Sequence, residues 1–355
     1  MQDAVLNAGL TNLAPEPGQR PSLEVRNLKV ELGAHGGRFD VIRGIDLTVH
    51  PRETVCLVGE SGCGKTITSL ALLDQLPKVA KVTADRMDFE GIDLRKLSKR
   101  AFSDIRGDRM AMIFQDPMTS LNPVYTIGNQ LVEVFTRHGK GTKKEGYERV
   151  EYLLERVGIK SPRERIKAYP HELSGGLRQR MVIAMALMCN PSLIIADEPT
   201  TALDVTVQAM TLGLLKDLQD EFGVSMVFIT HDLGIVSRIA DRVEVMYAGQ
   251  IVESGTTEEI FTQPSHPYTQ GLIDCIPIPG KTKRGSRLGS IPGVVPSLVG
   301  AQHGCSFRNR CPYSTALCAE LAPPFRSSGS SHGYQCHFEP AERLPHEEEA
   351  RTWLM

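Results

Sequence analysis

The chain has 355 residues, and its 40 Lys and Arg against 42 Asp and Glu leave a formal net charge of -2. That length accommodates one large α/β domain with an appendage, or two modest domains, around a substantial core. The near-neutral balance gives no basic footprint for nucleic acid, and no Lys/Arg run is long enough for a polybasic membrane segment. No stretch of about 18 uninterrupted apolar residues occurs, and Asp3 and polar residues stand where a signal peptide carries basic ones, so a cytoplasmic chain that spans nothing by itself is expected.

Residues 1–22, with Pro15, Pro17 and Pro21, read as a flexible lead-in. Leu23 to Leu32 alternates as a strand, a turn with Gly33, Gly36 and Gly37 follows, and Ile45 to Val49 alternates again, which predicts a β-hairpin. The apolar run Val55-Cys56-Leu57-Val58 predicts a strand, and Ile67 to Leu73 a helix. Beyond it, Met87 to Leu94 reads as strand and turn, and Arg109 to Phe114 as a buried strand ending at Gln115. Between about 116 and 172 the pattern turns amphipathic and helical, with Leu131, Val134 and Phe135, then Val150, Leu153, Leu154 and Val157. The α/β rhythm then returns. A helix through Ile183 and Leu187, a strand Leu193 to Ala196, a helix from about Val207 to Phe222, a strand Val224 to Ile229, a short helix and a strand Arg242 to Met246 complete the set. Strands alternating with helices in this way imply a largely parallel sheet covered on both faces. A Pro- and Gly-rich linker occupies 257–303, and its basic run Lys281-Thr282-Lys283-Arg284 reads as a solvated loop. Residues 304–340 hold four of the eight cysteines, and 341–355, with Glu347-Glu348-Glu349, form an acidic tail.

Between the predicted strand and helix lies Gly59-Glu60-Ser61-Gly62-Cys63-Gly64-Lys65-Thr66, which fits the phosphate-binding pattern G-x-x-x-x-G-K-[ST]. Backbone N–H groups at the helix start face phosphate, Lys65 adds a point charge and the Thr66 hydroxyl can ligate Mg²⁺. The strand Leu193 to Ala196 ends in Asp197 and Glu198, two carboxylates at the sheet edge where ligands bind, suited to holding Mg²⁺ and to activating water. Leu173-Ser174-Gly175-Gly176-Leu177-Arg178-Gln179 puts a capping Ser and two glycines at the start of a helix, where backbone can approach an anion.

These segments, together with Gln115, Ala202-Leu203-Asp204 and His231, occur in the order and at about the distances found in ATP-binding-cassette ATPases, and the chain resembles that family from about Leu23 to Gly255. The resemblance implies a P-loop α/β cassette over 23–256 with a mixed, largely parallel sheet, a helical subdomain at about 116–172 and a small irregular cysteine-containing extension. It further implies that two such domains meet head to tail around ATP. Gly59, Ser61, Gly62, Cys63, Gly64, Lys65, Thr66 and Gln115 would contact ATP, and Thr66, Gln115 and Asp197 would hold Mg²⁺. Glu198 would polarise water with His231 at the γ-phosphate. Ser174, Gly175, Gly176 and Gln179 would serve the opposite site, and Asp204 would lie at the dimer contact. For the adenine contact, Leu32, His35 and Phe39 are candidates without a clear choice.

Tyr169-Pro170-His171-Glu172 before the signature resembles an importer's ATPase, Met112 to Pro123 and Glu198 to Thr206 resemble the first ATPase subunit of dipeptide and oligopeptide importers, and His266-Pro267-Tyr268-Thr269-Gln270, Ile291 to Pro296 and the cysteine segment resemble its C-terminal extension. That resemblance implies a second ATPase subunit as partner, two membrane-spanning permeases, an extracytoplasmic solute-binding protein and a location on the cytoplasmic face of the membrane. Another solute, such as nickel, an opine or a cationic peptide, is the alternative substrate. A soluble ATPase of the same superfamily acting in repair or translation is the more distant one. Cys305, Cys311, Cys318 and Cys336 lack the short C-x₂-C knuckle of most zinc sites, and four thiolates suit zinc or iron and sulfur alike. The resemblance favours a [4Fe–4S] cluster, with zinc as the alternative. Cys56, Cys63, Cys189 and Cys275 read as small hydrophobes.

Overall fold

The computed structural model describes residues 20–34, 37–201, 203–276, 289–296, 303–328 and 331–343. Residues 1–19 of the lead-in, His35, Ala202, the basic run Lys281 to Arg284 and the tail from 344 lie outside the described residues.

β1 (Leu23–Ala34) and β2 (Gly37–Val49) form the expected antiparallel hairpin. β3 (Thr54–Val58) runs into α1 (Lys65–Leu72), and β4 (Lys81–Thr83), β5 (Arg86–Phe89) and β6 (Ile92–Asp93) complete a five-stranded antiparallel sheet on β1. After α2 (Lys99–Ile105) and β7 (Met110–Ile113) come four helices, α3 (Pro117–Ser120), α4 (Ile127–Arg137), α5 (Lys143–Arg156) and α6 (Pro162–Arg165). The remainder alternates: α7 (Gly175–Ala186), β8 (Leu193–Asp197), α8 (Val205–Phe222), β9 (Ser225–Thr230), α9 (Leu233–Ile239), β10 (Arg242–Tyr247) and β11 (Gln250–Thr256). The C-terminal part contributes α10 (Thr257–Thr262), α11 (Pro267–Asp274), α12 (Ala316–Glu320), β12 (Phe325–Ser327) and β13 (Gly333–Gln335).

The second sheet has the order β12-β13-β11-β10-β3-β9-β8-β7, with β10, β3, β9, β8 and β7 mutually parallel. Every residue of β3, β8 and β9 is buried, because this sheet is covered on both faces, and that produces their continuous apolar runs. The pleat divides those side chains between two cores. Val55, Leu57, Leu193, Ile195, Val227 and Ile229 face the antiparallel sheet and α1, while Cys56, Val58, Ile194, Ala196, Met226 and Phe228 face the helical layer.

The helices start where the chain offers a side-chain acceptor. Thr126 caps α4, Thr142 forms a capping box with Glu145 on α5, and Thr256 does the same with Glu259 on α10. Leu131, Val150, Leu153, Leu154 and Val157 are buried as their spacing requires, and they fasten the helical insertion to α7.

One sequence expectation needs revising. The strand at Arg242–Tyr247 does not close the set, since β11 pairs beside it antiparallel. The cysteine-containing extension, irregular over most of its described length, is joined to the cassette, because β13 pairs with β11 at Glu253↔Tyr334 and Ser254↔Gly333 and continues its sheet. Three-residue strands are too short to show an alternation, which is why the sequence does not display them.

This join contains a buried ion pair. Glu253, with no exposed surface, accepts from the Ser265 and His266 backbone N–H groups at 2.6 and 2.8 Å and meets His332 Nε2 at 2.7 Å. The hydrogen bond to Glu253 raises the His332 pKa, burial opposes the rise, and the charges of Glu253 and Glu259 add to it. The protonated ring therefore contributes stability that is complete below about pH 6.5, the ordinary histidine value, and is lost as pH rises through the raised folded value. Thermal unfolding should show Tm falling across that window, and His332→Gln should flatten this part of the slope. An identical slope in the variant would contradict the assignment.

Candidate nucleotide-binding site

β3 delivers the chain to Gly59 at a point where β10 passes close by. A Cβ on Gly59 would stand 2.2 Å from the Met246 carbonyl oxygen, with φ at 156°, so only glycine lets the loop leave the strand here. Gly64, at φ 114°, turns the chain into α1, which has neither a side-chain cap nor an acidic residue in its first turn. The orphan N–H groups and positive end of that helix are thus left available to an anion. Lys65 is 5% exposed and its Nζ donates to the Gly59 and Glu60 carbonyl oxygens at 2.8 and 3.1 Å, which holds the ammonium over the loop.

The carboxyl ends of the neighbouring parallel strands supply the rest. Asp197 ends β8, 2% exposed, and accepts from the Thr66 hydroxyl at 3.3 Å. Burial raises its pKa, the Thr66 hydrogen bond pulls it down and the Glu198 charge raises it further. Thr66 and Asp197 present oxygen donors of the kind a hard cation takes, and Mg²⁺ characteristically uses one or two protein ligands beside substrate phosphates. Glu198 sits at φ 46°, a left-handed conformation that costs a non-glycine residue about 1 kcal/mol or more. Its N–H donates to the Ile229 carbonyl on β9 at 2.9 Å, which fixes the turn. Its carboxylate then meets three groups: Gln115 Nε2 donates to Oε2 at 3.0 Å, the Thr201 hydroxyl donates to the same oxygen at 2.9 Å, and His231 Nδ1 lies 3.2 Å from Oε1. Gln115 follows β7 and His231 follows β9, so three strand ends converge on one carboxylate.

Ser174 and Gly175 lie exposed at the start of α7, where the Ser174 hydroxyl accepts from the Leu177 N–H at 3.4 Å. A Cβ on Gly175 would meet nothing within 4 Å, so packing inside this chain does not demand glycine there. Gln179 does not share that surface. It is 1% exposed, one turn farther along, where α7 already lies against the core, and its Nε2 has no hydrogen-bond partner. Asp204 is exposed, and its carboxylate accepts from the Thr206 and Val207 N–H groups as the cap of α8. Leu32 and Phe39 face each other across the β1/β2 hairpin and pack on the core beneath it.

The four clustered cysteines come together as well. Cys305, Cys311, Cys318 and Cys336 line one cavity of ≈ 20 Å³, about the room a single water occupies. Burial pushes the Cys305 thiol up to about 11 and the Cys311 thiol up to about 12. Among the described residues no group of three or more His, Cys, Asp or Glu side chains is arranged to hold a metal ion.

Residues 42–201 match the family model described as ABC transporter, and 252–318 match that of the oligopeptide/dipeptide transporter C-terminal region. A putative peptide import ATP-binding protein of Brucella ovis is 47% identical over 328 residues, covering 90% of this chain and 97% of that protein. The chain belongs to the ABC transporter ATP-binding family. Within that family, it is also similar to the dipeptide transport ATP-binding protein DppD of Bacillus subtilis, 48% identical over 315 residues, covering 88% of this chain and 93% of that one. Among solved structures, a dimeric ABC transporter cassette, MJ0796, aligns with a TM-score of 0.59 at 26% identity, covering 66% of this chain and 98% of its own. The cbiO1 cassette from Clostridium perfringens aligns with the same TM-score over 69% of this chain and 92% of its own. The ABC fold class read from the sequence thus stands, with its phosphate loop and strand-end carboxylates side by side.

Three residues escaped the sequence reading. Thr201 lies within a quoted motif without a role assigned, although a hydroxyl three residues after Glu198 is placed to reach its carboxylate across a tight turn. Tyr268 and Arg310, both from the C-terminal part, contact Glu60 of the phosphate loop. No local spacing could reveal contacts spanning more than 200 residues.

Proposed function

We propose that this chain is the ATP-hydrolysing subunit that drives import of dipeptides and oligopeptides through a membrane transporter, with Glu198 as the base that activates the attacking water. The convergence of Gln115, Thr201 and His231 on the Glu198 carboxylate carries the choice of base, and the match to the oligopeptide/dipeptide transporter C-terminal region with the likeness to DppD supports peptide import. ATP would lie with its phosphates over the start of α1, cradled by Gly59, Ser61, Gly62, Cys63 and Gly64, with Lys65 turned from the loop carbonyls to the phosphates. Thr66, Asp197 and Gln115 would hold Mg²⁺, which when bound offsets the negative charge of the phosphate oxygens. Glu198 takes a proton from water, while Gln115 and Thr201 fix one carboxylate oxygen and His231 orients the other toward the γ-phosphate side.

Ser174, Gly175 and Gly176 are assigned to the ATP of a second ATPase subunit, and Asp204 to the contact between the two. The open space around Gly175 supports a close approach from outside the chain. Gln179 has no part in that surface in this reading, because it is buried. The permeases are assigned to the insertion side, where Phe114, Met118, Val124 and Tyr125 are exposed and Gln115 sits directly before α3. A shift of the insertion would then move Gln115 against Glu198 and couple transport to hydrolysis. Among the described residues no helix is long and apolar enough to cross a membrane. From the likeness to peptide import ATP-binding proteins we assign the membrane path to those permeases and the chain to their cytoplasmic face, with a solute-binding protein delivering peptide from the other side. We assign Cys305, Cys311, Cys318 and Cys336 to a structural [4Fe–4S] cluster, with zinc as the competing occupant. Four soft sulfur donors facing one cavity support that donor set, and the cavity must widen for a cluster to enter.

Glu198→Gln should retain ATP binding and lose hydrolysis by about a hundredfold or more, measured as phosphate release by the assembled transporter, and wild-type turnover would rule out the assigned base. Anaerobically purified protein should contain iron and acid-labile sulfide with broad visible absorbance. Stoichiometric zinc without iron would replace the cluster.

A further inference from the structure

Glu60, the second residue of the phosphate loop, places a carboxylate beside a site built for a polyanion. Its surroundings come mostly from the far end of the chain. Arg310 Nη1 and Nη2 donate to the two Glu60 carboxylate oxygens at 2.6 and 3.0 Å, a bidentate pair. The Arg310 side chain is 3% exposed and that of Glu60 32%. The guanidinium is fixed independently of Glu60: Nε donates to the Pro292 carbonyl at 2.8 Å, Nη2 to the Ile291 carbonyl at 3.2 Å, and the plane lies near the rings of Tyr247 and Phe307 at 5.8 and 5.9 Å. Tyr268, fully buried, accepts from the Glu60 backbone N–H at 2.8 Å and packs 4.6 Å from Tyr247 and 5.5 Å from Phe307. The Glu60 carbonyl in turn receives Lys65 Nζ. The N–H, carboxylate and carbonyl of one loop residue are thus all held, two of them by the C-terminal segment.

We infer that Arg310 and Tyr268 are positioning residues of the ATP site: the C-terminal segment completes the phosphate loop by neutralising Glu60 and fixing its backbone, so that ATP affinity depends on that segment being docked. Arg310 cancels a negative charge that otherwise repels the phosphates, and Tyr268 sets the height of the loop from which Lys65 reaches out. The structural alternative, a clamp that merely holds the extension on the cassette, makes a different prediction. Losing a clamp is not repaired by removing its second half, whereas losing a neutralising charge is repaired by removing the charge it neutralised.

This inference rests on the phosphate loop being where ATP binds, and Lys65→Ala separates the two claims, because it should weaken ATP binding whatever Arg310 does. With full-length protein and fluorescent ATP, Arg310→Gln should raise Kd about tenfold. The double variant Arg310→Gln with Glu60→Gln should return to within about threefold of the wild type. Wild-type affinity in Arg310→Gln, or a double variant as weak as Arg310→Gln alone, would overturn the inference while leaving the ATP site intact. Unimpaired binding by Lys65→Ala would instead overturn the site itself. Should Arg310→Gln fail to fold, Tyr268→Phe decides: it removes only the hydroxyl, should weaken ATP about threefold, and unchanged affinity would reject the role.

Discussion

Three carboxylates belong to the segments that meet at the phosphate site: Glu60 lies in the loop whose helix end and Lys65 are arranged to receive an anion, and Asp197 and Glu198 end the strand that reaches Thr66 of α1. Negative charge beside a site for a polyanion is unfavourable wherever water is excluded, so each carboxylate there calls for a partner. Each has a different solution. Glu60 is paired with a buried guanidinium, Asp197 is buried against the Thr66 hydroxyl, and Glu198 is held by an amide, a hydroxyl and an imidazole. In the function proposed above, these surroundings suit the three residues, of nearly identical chemistry, to different tasks: a neutralised loop charge, a metal ligand and a proton acceptor.

The fold supplies these partners through its sheet. Parallel strands β3, β7, β8 and β9 end on one edge, so the phosphate loop, Gln115, Asp197-Glu198 and His231 arrive there from distant parts of the sequence. The antiparallel addition of β11 and β13 then anchors the C-terminal segment, and the Glu253–His332 pair secures the join. From that anchorage Tyr268 and Arg310 reach back to the loop. Cys305 and Cys311 flank the stretch that carries Phe307 and Arg310, so the cysteine cavity and the phosphate loop are neighbours through a few residues of well-packed chain.

The parts of this arrangement legible in the sequence are those written locally. Continuous apolar runs announced β3, β8 and β9 because both faces of the sheet are covered. The phosphate loop was visible because glycine is forced at Gly59 by the passing Met246 carbonyl and at Gly64 by the turn into α1. What stayed hidden depends on three-dimensional closure. The strained backbone of Glu198 has no sequence mark, since nothing about a glutamate after an aspartate signals a left-handed φ. Gln179 belongs to the same segment as Ser174, yet one helical turn is enough to bury it. The Arg310–Glu60 pair joins residues 250 positions apart, and β12 and β13 are too short to betray an alternation.

The nucleotide site we propose is divided between two polypeptides: the phosphate loop and its carboxylates lie together here, while Ser174 and Gly175 stand exposed on a separate helix start with no packing reason for the glycine. The most direct measurement is photocrosslinking in the assembled transporter, with ATP carrying a photoreactive group on its γ-phosphate and bound only at this chain's phosphate loop. Mass spectrometry should find adducts on the second ATPase chain and none on Ser174 to Gly176 of this one. Adducts on this chain's own Ser174 segment, with the second chain unlabelled, would contradict the divided site.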